Sequence, residues 1–140
     1  AGVGTVIDLR AEVDTVAAQA AAATAGLRWL HVPIRDGQPP TPAQVATIAD
    51  TIEPAKGPVF VHCQAGVGRT GSAIAAWSLS DGCSPRAALV EALRVGPMSL
   101  EQQVFVLRSQ PEQAANSLLP VTVASRLIDS PRRAWSRLTG

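Results

Sequence analysis

The chain has 140 residues, 46% of them hydrophobic, with 12 basic and 11 acidic side chains and a formal net charge of +1. This length fits one domain with a buried core, the apolar content excludes a disordered chain, and the near-neutral balance offers no basic excess for nucleic acid. Two cysteines, Cys63 and Cys83, are too few for a disulfide scaffold, so a reduced, cytoplasmic setting is expected, and no apolar run approaches the ~18 residues that span a bilayer.

The first predicted element is a β-branched strand over Thr5–Leu9, reached with no lead-in, so a segment before residue 1 stays open. An Ala-rich helix is predicted over Glu12–Ala25, with Val13, Val16 and Ala17 at helical spacing and Gly26 as its stop. Arg28–Val32 reads as a second strand closed by Pro33. Asp36-Gly37-Gln38-Pro39-Pro40 must be a loop. Thr41 caps the next helix, with Pro42 at its first position and Val45, Ile48 and Ile52 as its apolar stripe.

Val59-Phe60-Val61 is a wholly apolar run of the kind found in a central parallel strand, and it leads into His62-Cys63 and a glycine-rich loop. Helices are predicted over Thr70–Leu79, from a Ser84 cap with Pro85 to about Val95, and from a Ser99 cap through Leu100, Val104 and Leu107. Strands alternating with helices imply an α/β fold: a central, mostly parallel sheet flanked by helices in three layers. The division expected is a domain over 1–118 and a basic tail over 119–140, where Arg126, Arg132, Arg133 and Arg137 face one acid, Asp129.

The segment from His62 to Thr70 carries the chemistry. A phosphate dianion needs several converging donors, and the backbone N–H groups of Gln64, Ala65, Gly66, Val67 and Gly68 can supply them at the start of the following helix. Arg69 comes six residues after Cys63, so a curled loop returns its guanidinium to the same pocket, where it can bind two oxygens at once. The same positive field favours a Cys63 thiolate as nucleophile, and Thr70 can donate a hydroxyl to the sulfur. An ordinary buried cysteine at a strand end would leave both glycines, Arg69 and Thr70 unexplained.

His62-Cys63, five residues, Arg69 and Thr70 resemble the signature of the protein tyrosine phosphatase superfamily, and the compact Pro33-Ile34-Arg35-Asp36-Gly37 loop resembles its dual-specificity members. The resemblance spans about residues 5–107. It implies a phosphocysteine mechanism on Cys63 and a general acid at Asp36, whose other reading is a turn residue bonded to its own backbone. It implies a structural role for His62 and a glutamine that places the hydrolytic water. Gln102 fits that place best, beside Gln103, and both can equally be solvated helix residues. No cofactor or metal is implied, because Arg69 and the backbone amides supply the positive charge.

Asp8 and Arg10 either pair with each other or support the loop, and His31 needs no function. Trp29 and Trp77 are read as packing residues, and Cys83 as a lone structural thiol, its other reading being a disulfide with Cys63 under oxidation. Trp135 among its arginines gives a membrane contact through the tail or a tail without structure. The substrate expected is a phosphorylated protein or small phosphomonoester, with phosphotyrosine and phosphoserine or phosphothreonine both admitted by a shallow pocket. Phosphoinositides and inositol phosphates are the alternative, set back by the lack of lysine inside the loop. The rivals of other classes are a phosphate-binding module without turnover and a thiol redox enzyme, which lacks a Cys-x-x-Cys pair.

Overall fold

The computed structural model describes residues 2–109. The expected boundary at 118, the basic tail and Trp135 lie outside the described residues. The elements in chain order are β1 (Thr5–Arg10), α1 (Thr15–Thr24), β2 (Arg28–Ile34), α2 (Pro42–Ile52), β3 (Val59–His62), α3 (Gly68–Ser80), α4 (Pro85–Val95) and α5 (Leu100–Arg108).

The three strands form one parallel sheet in the order β2-β1-β3. Its register sets the faces, since side chains alternate along each strand. Ile7 lies between Leu30 and Val61, and Leu9 continues that face, which packs on Ile48 of α2 and Ala73 of α3. On the other face, Asp8 lies between His31 and His62, and Val6 between Trp29 and Phe60. Burying Ile7, Leu9 and Ile48 completely contributes about 2 kcal/mol for each side chain.

A second cluster joins α3, α4 and α5 through Ala75, Ala76, Ala88, Ala92, Met98, Phe105 and Val106. Alanines at these positions let the helix backbones approach closely, which gives the Ala-rich composition a packing role.

Four expectations change. Strand β3, read from its apolar run as a central strand, lies at an edge of the described sheet, and Phe60 is 53% exposed. Helix α1 begins three residues later than predicted, because Asp14 caps it by accepting from the Val16 and Ala17 N–H groups. That leaves Glu12 in the β1–α1 connection, and the expected stripe does not face the core, since Val16 is 77% exposed. Strand β2 runs through Pro33 to Ile34, because β2 is an edge strand with a register shift at this point, where a missing N–H is tolerated. In α5 the buried residues are Glu101, Gln102, Phe105 and Val106, while Leu100 and Leu107 face outward. The capped starts of α2, α4 and α5 at Thr41, Ser84 and Ser99 are as expected.

Candidate active site

The loop from Cys63 to Gly68 joins the carboxyl end of β3 to α3, the end of a parallel sheet where ligands collect. Gly66 turns the loop at φ +72°, a left-handed conformation that costs an L side chain about 1–2 kcal/mol. Gly68 serves differently: a Cβ there would lie 2.9 Å from Gln102 Oε1. The start of α3 at Val67 has no side-chain cap, so its first N–H groups are not claimed by a capping side chain. Gly66→Ala is therefore expected to lower stability by about 1 kcal/mol and to weaken oxyanion binding, checked by thermal unfolding with and without vanadate.

Cys63 is buried at the floor of this loop. Burial alone would raise its pKa, but hydrogen bonds from the Thr70 hydroxyl and N–H, the Arg69 charge and the Gly66 N–H together hold it below the ordinary thiol value. The Thr70 hydroxyl is itself buried and has no hydrogen-bond partner of good geometry, which leaves it for the Cys63 sulfur whose pKa it lowers.

Arg69 is 3% exposed, and its guanidinium is gripped from behind. Nη1 donates to Glu12 Oε2 at 2.8 Å and to the Ile34 carbonyl at 3.2 Å, and Nη2 donates to Glu12 Oε1 at 2.8 Å. Nε has no hydrogen-bond partner and stands 3.6 Å from Asp36 Oδ1. Burial opposes the charge on Arg69, but Glu12 more than offsets it, and the same fork keeps the Glu12 carboxyl below its usual range. Glu12, expected from the sequence inside α1, is instead a site residue in the β1–α1 connection. The signal that could have found it is Asp14-Thr15, an Asp N-cap that frees Glu12 at the carboxyl end of β1.

Asp36 occupies a turn closed by the Gln38 N–H on the Arg35 carbonyl, with Gly37 at φ +74°. The backbone makes this turn, and the half-exposed Asp36 carboxylate points toward Arg69. Gln102 is 1% exposed between the Asp36 turn and the Cys63 loop. Its Oε1 accepts from the Ser99 N–H at 3.0 Å and its Nε2 donates to the Gln38 carbonyl at 3.0 Å. Gln102 is thus not a solvated helix residue, and both ends of its amide are engaged. Gln103 Nε2 donates to the Met98 carbonyl.

Behind the loop, Asp8 is completely buried and takes the Arg10 side chain in a fork at 3.0 and 2.7 Å. Burial raises its pKa, but the Arg10 hydrogen bonds and His62 outweigh that and leave it lowered. His62 Nε2 lies 3.8 Å from Asp8 Oδ2, its Nδ1 donates to the Cys63 carbonyl at 3.1 Å, and Phe60 stacks on its ring. Asp8 and Arg10 therefore pair and also back the loop through His62. His31 stacks with Trp29 and donates to the Arg10 carbonyl at 2.7 Å.

Cys63 and Cys83 are free thiols on different clusters, Cys63 in the sheet core and Cys83 against the helices. A depression at the opposite end of the sheet, lined by Thr5, Arg28, Thr51 and Lys56, holds none of these side chains.

Residues 1–108 match a family described as "DSP-PTPase phosphatase fused to NAD+ Kinase". The chain is similar to the human dual specificity protein phosphatase CDC14C, 37% identical over 78 residues, which is 54% of this chain and 17% of that protein. The chain thus spans about a sixth of that curated relative. The structure resembles that of Tk-PTP in the active form, at 30% identity and a TM-score of 0.68, over 79% of this chain and 80% of that one. It also resembles P. aeruginosa TpbA, at 26% identity and a TM-score of 0.62, over 77% of this chain and 68% of that one.

Proposed function

Because the chain belongs to this family of dual-specificity-type phosphatases, we propose that it hydrolyses phosphomonoesters of proteins, phosphotyrosine and phosphoserine or phosphothreonine alike, through a phosphocysteine on Cys63. The observation that carries the reading is the convergence of a low-pKa Cys63, an Arg69 whose Nε is left free, and Asp36 at 3.6 Å from that Nε.

In the first step Cys63 Sγ attacks phosphorus, the S–P bond forms as the ester P–O bond breaks, and Asp36 gives its proton to the leaving oxygen. The loop N–H groups and Arg69 hold the three equatorial oxygens. In the second step water attacks phosphorus, its proton passes to Asp36, and the S–P bond breaks to release inorganic phosphate. The Thr70 hydroxyl stabilises the departing thiolate. The dianion gives Arg69 Nε, which stands 3.6 Å from Asp36 with no hydrogen-bond partner, an acceptor of its own and leaves Asp36 to the leaving group.

Phosphate release from a phosphotyrosine peptide, a phosphothreonine peptide, a phosphoinositide and inositol hexakisphosphate, with Cys63→Ser as blank, tests this. Turnover of both peptides supports the reading. Turnover confined to the inositol compounds overturns the protein substrate, and no Cys63-dependent turnover overturns the activity. Asp36→Asn is expected to slow phenyl phosphate hydrolysis by about a hundredfold or more and dinitrophenyl phosphate hydrolysis, whose leaving group needs no proton, far less.

A further inference from the structure

Helix α5 starts with a capping box in which Ser99 Oγ accepts from the Gln102 N–H and Gln102 Oε1 accepts from the Ser99 N–H. A capping box satisfies the helix's own N–H groups and needs nothing more. Here each side chain makes one further bond, and both reach the Asp36 turn across more than sixty residues of sequence. Ser99 Oγ donates to the Gly37 carbonyl at 2.6 Å, and Gln102 Nε2 donates to the Gln38 carbonyl at 3.0 Å. Ser99 and Gln102 are 4% and 1% exposed, so water does not compete freely for these bonds. Gln102 also lies against Gly68, where the nucleophile loop enters α3.

We propose that Ser99 and Gln102 are positioning residues that latch the general-acid turn to the nucleophile loop and so fix Asp36 over the leaving group. The proposal rests on the phosphatase reading above. Within itself the turn carrying Asp36 has the bond from Gln38 N–H to the Arg35 carbonyl, and at its entry Gln44 Nε2 donates to the Pro33 carbonyl and Arg69 Nη1 to the Ile34 carbonyl. Two carbonyls directly after Asp36 are taken by one helix start, which is also the element that touches Gly68. Helix α5 thereby shares with Arg69, which holds the Ile34 carbonyl, in setting the distance between acid and nucleophile. A displacement of about 1 Å in such a group is enough to slow a positioned reaction strongly.

The test separates the latch from the helix cap. Ser99→Asp keeps a good N-cap acceptor for the Gln102 N–H but cannot donate to Gly37, whereas Ser99→Thr keeps both functions. The full chain is assayed on dinitrophenyl phosphate, whose leaving group needs no proton, and on phenyl phosphate, whose leaving group does. In Ser99→Asp the ratio of kcat/KM for dinitrophenyl over phenyl phosphate is expected to rise about tenfold, through partial loss of general-acid catalysis, and in Ser99→Thr to stay within about twofold of wild type. Gln102→Met, which keeps side-chain length but removes both the donor to Gln38 and the acceptor for the Ser99 N–H, is expected to raise the ratio similarly. Because a ratio is read, a loss of folded fraction lowers both rates and leaves it unmoved. An unmoved ratio in both Ser99→Asp and Gln102→Met overturns the latch while wild-type turnover upholds the phosphatase reading. Absence of Cys63-dependent wild-type turnover overturns both.

Discussion

Replacing Cys63 by serine is expected to lower phosphomonoester hydrolysis by about four orders of magnitude or more, the scale seen when a covalent nucleophile is lost. A serine hydroxyl is not ionised near neutral pH, and the loop's donors are arranged to stabilise a thiolate. Those donors remain in the variant, so vanadate or phosphate binding should persist, and calorimetry alongside the assay separates loss of chemistry from loss of the pocket. The pH profile carries a companion expectation. Cys63 is held below its ordinary value, so the rising limb of kcat/KM lies on the acid side of a normal thiol. Thr70→Val removes a hydrogen bond that favours the charged form, which raises the Cys63 pKa and moves that limb to higher pH.

Arg69→Lys is expected to cost about two to three orders of magnitude in kcat, comparable to removing a preorganised donor from a transition-state anion. Lysine has one compact charge. It cannot hold Glu12 through two parallel bonds, reach the Ile34 carbonyl and still present donors to phosphate, as Arg69 is placed to do. Glu12 would lose its fork and gain nothing of equal geometry. Oxyanion binding should fall together with kcat, unlike in Cys63→Ser, and the two measurements distinguish the roles. Glu12→Gln is the milder partner: it removes one charge, keeps an acceptor for Arg69, and should weaken oxyanion binding less. The depressed Glu12 pKa gives the clamp a direction in pH. Its contribution is complete above the pKa of glutamate in the unfolded chain and is lost as pH falls through the lowered folded value.

The turn from β3 into α3 was legible because its pattern is local. Cys63, Gly66, Arg69 and Thr70 lie within eight consecutive residues, and their spacing alone predicts a curled anion loop ahead of a helix. The presence of strand β3 and the starts of α2, α4 and α5 were legible for the same reason, since cap residues and apolar runs act over a few residues, but the place of β3 at an edge of the sheet was not. The partners that hold the site in place are not local. Glu12 reaches Arg69 across 57 residues, and nothing near Glu12 marks it as a clamp once an Ala-rich helix is drawn over it. Ser99 was legible as a cap, but its second bond, to Gly37 across 62 residues, depends on how α5 is laid against the sheet's end. Gln102 was singled out by resemblance, and its burial and double engagement follow only from the packing of α5 on the loop. The outward-facing Leu100 and Leu107 mark the same limit, since the face a short helix buries is decided by its neighbours.

The most direct test of the account is acid-quenched mass spectrometry of the wild-type chain during turnover of dinitrophenyl phosphate. A phosphoryl group is expected on the peptide carrying Cys63, formed within the first turnover and accumulating further in Asp36→Asn, where hydrolysis of the intermediate lacks its base. Turnover with no phosphoryl group on Cys63 at any quench time, or turnover that survives Cys63→Ser, would contradict it.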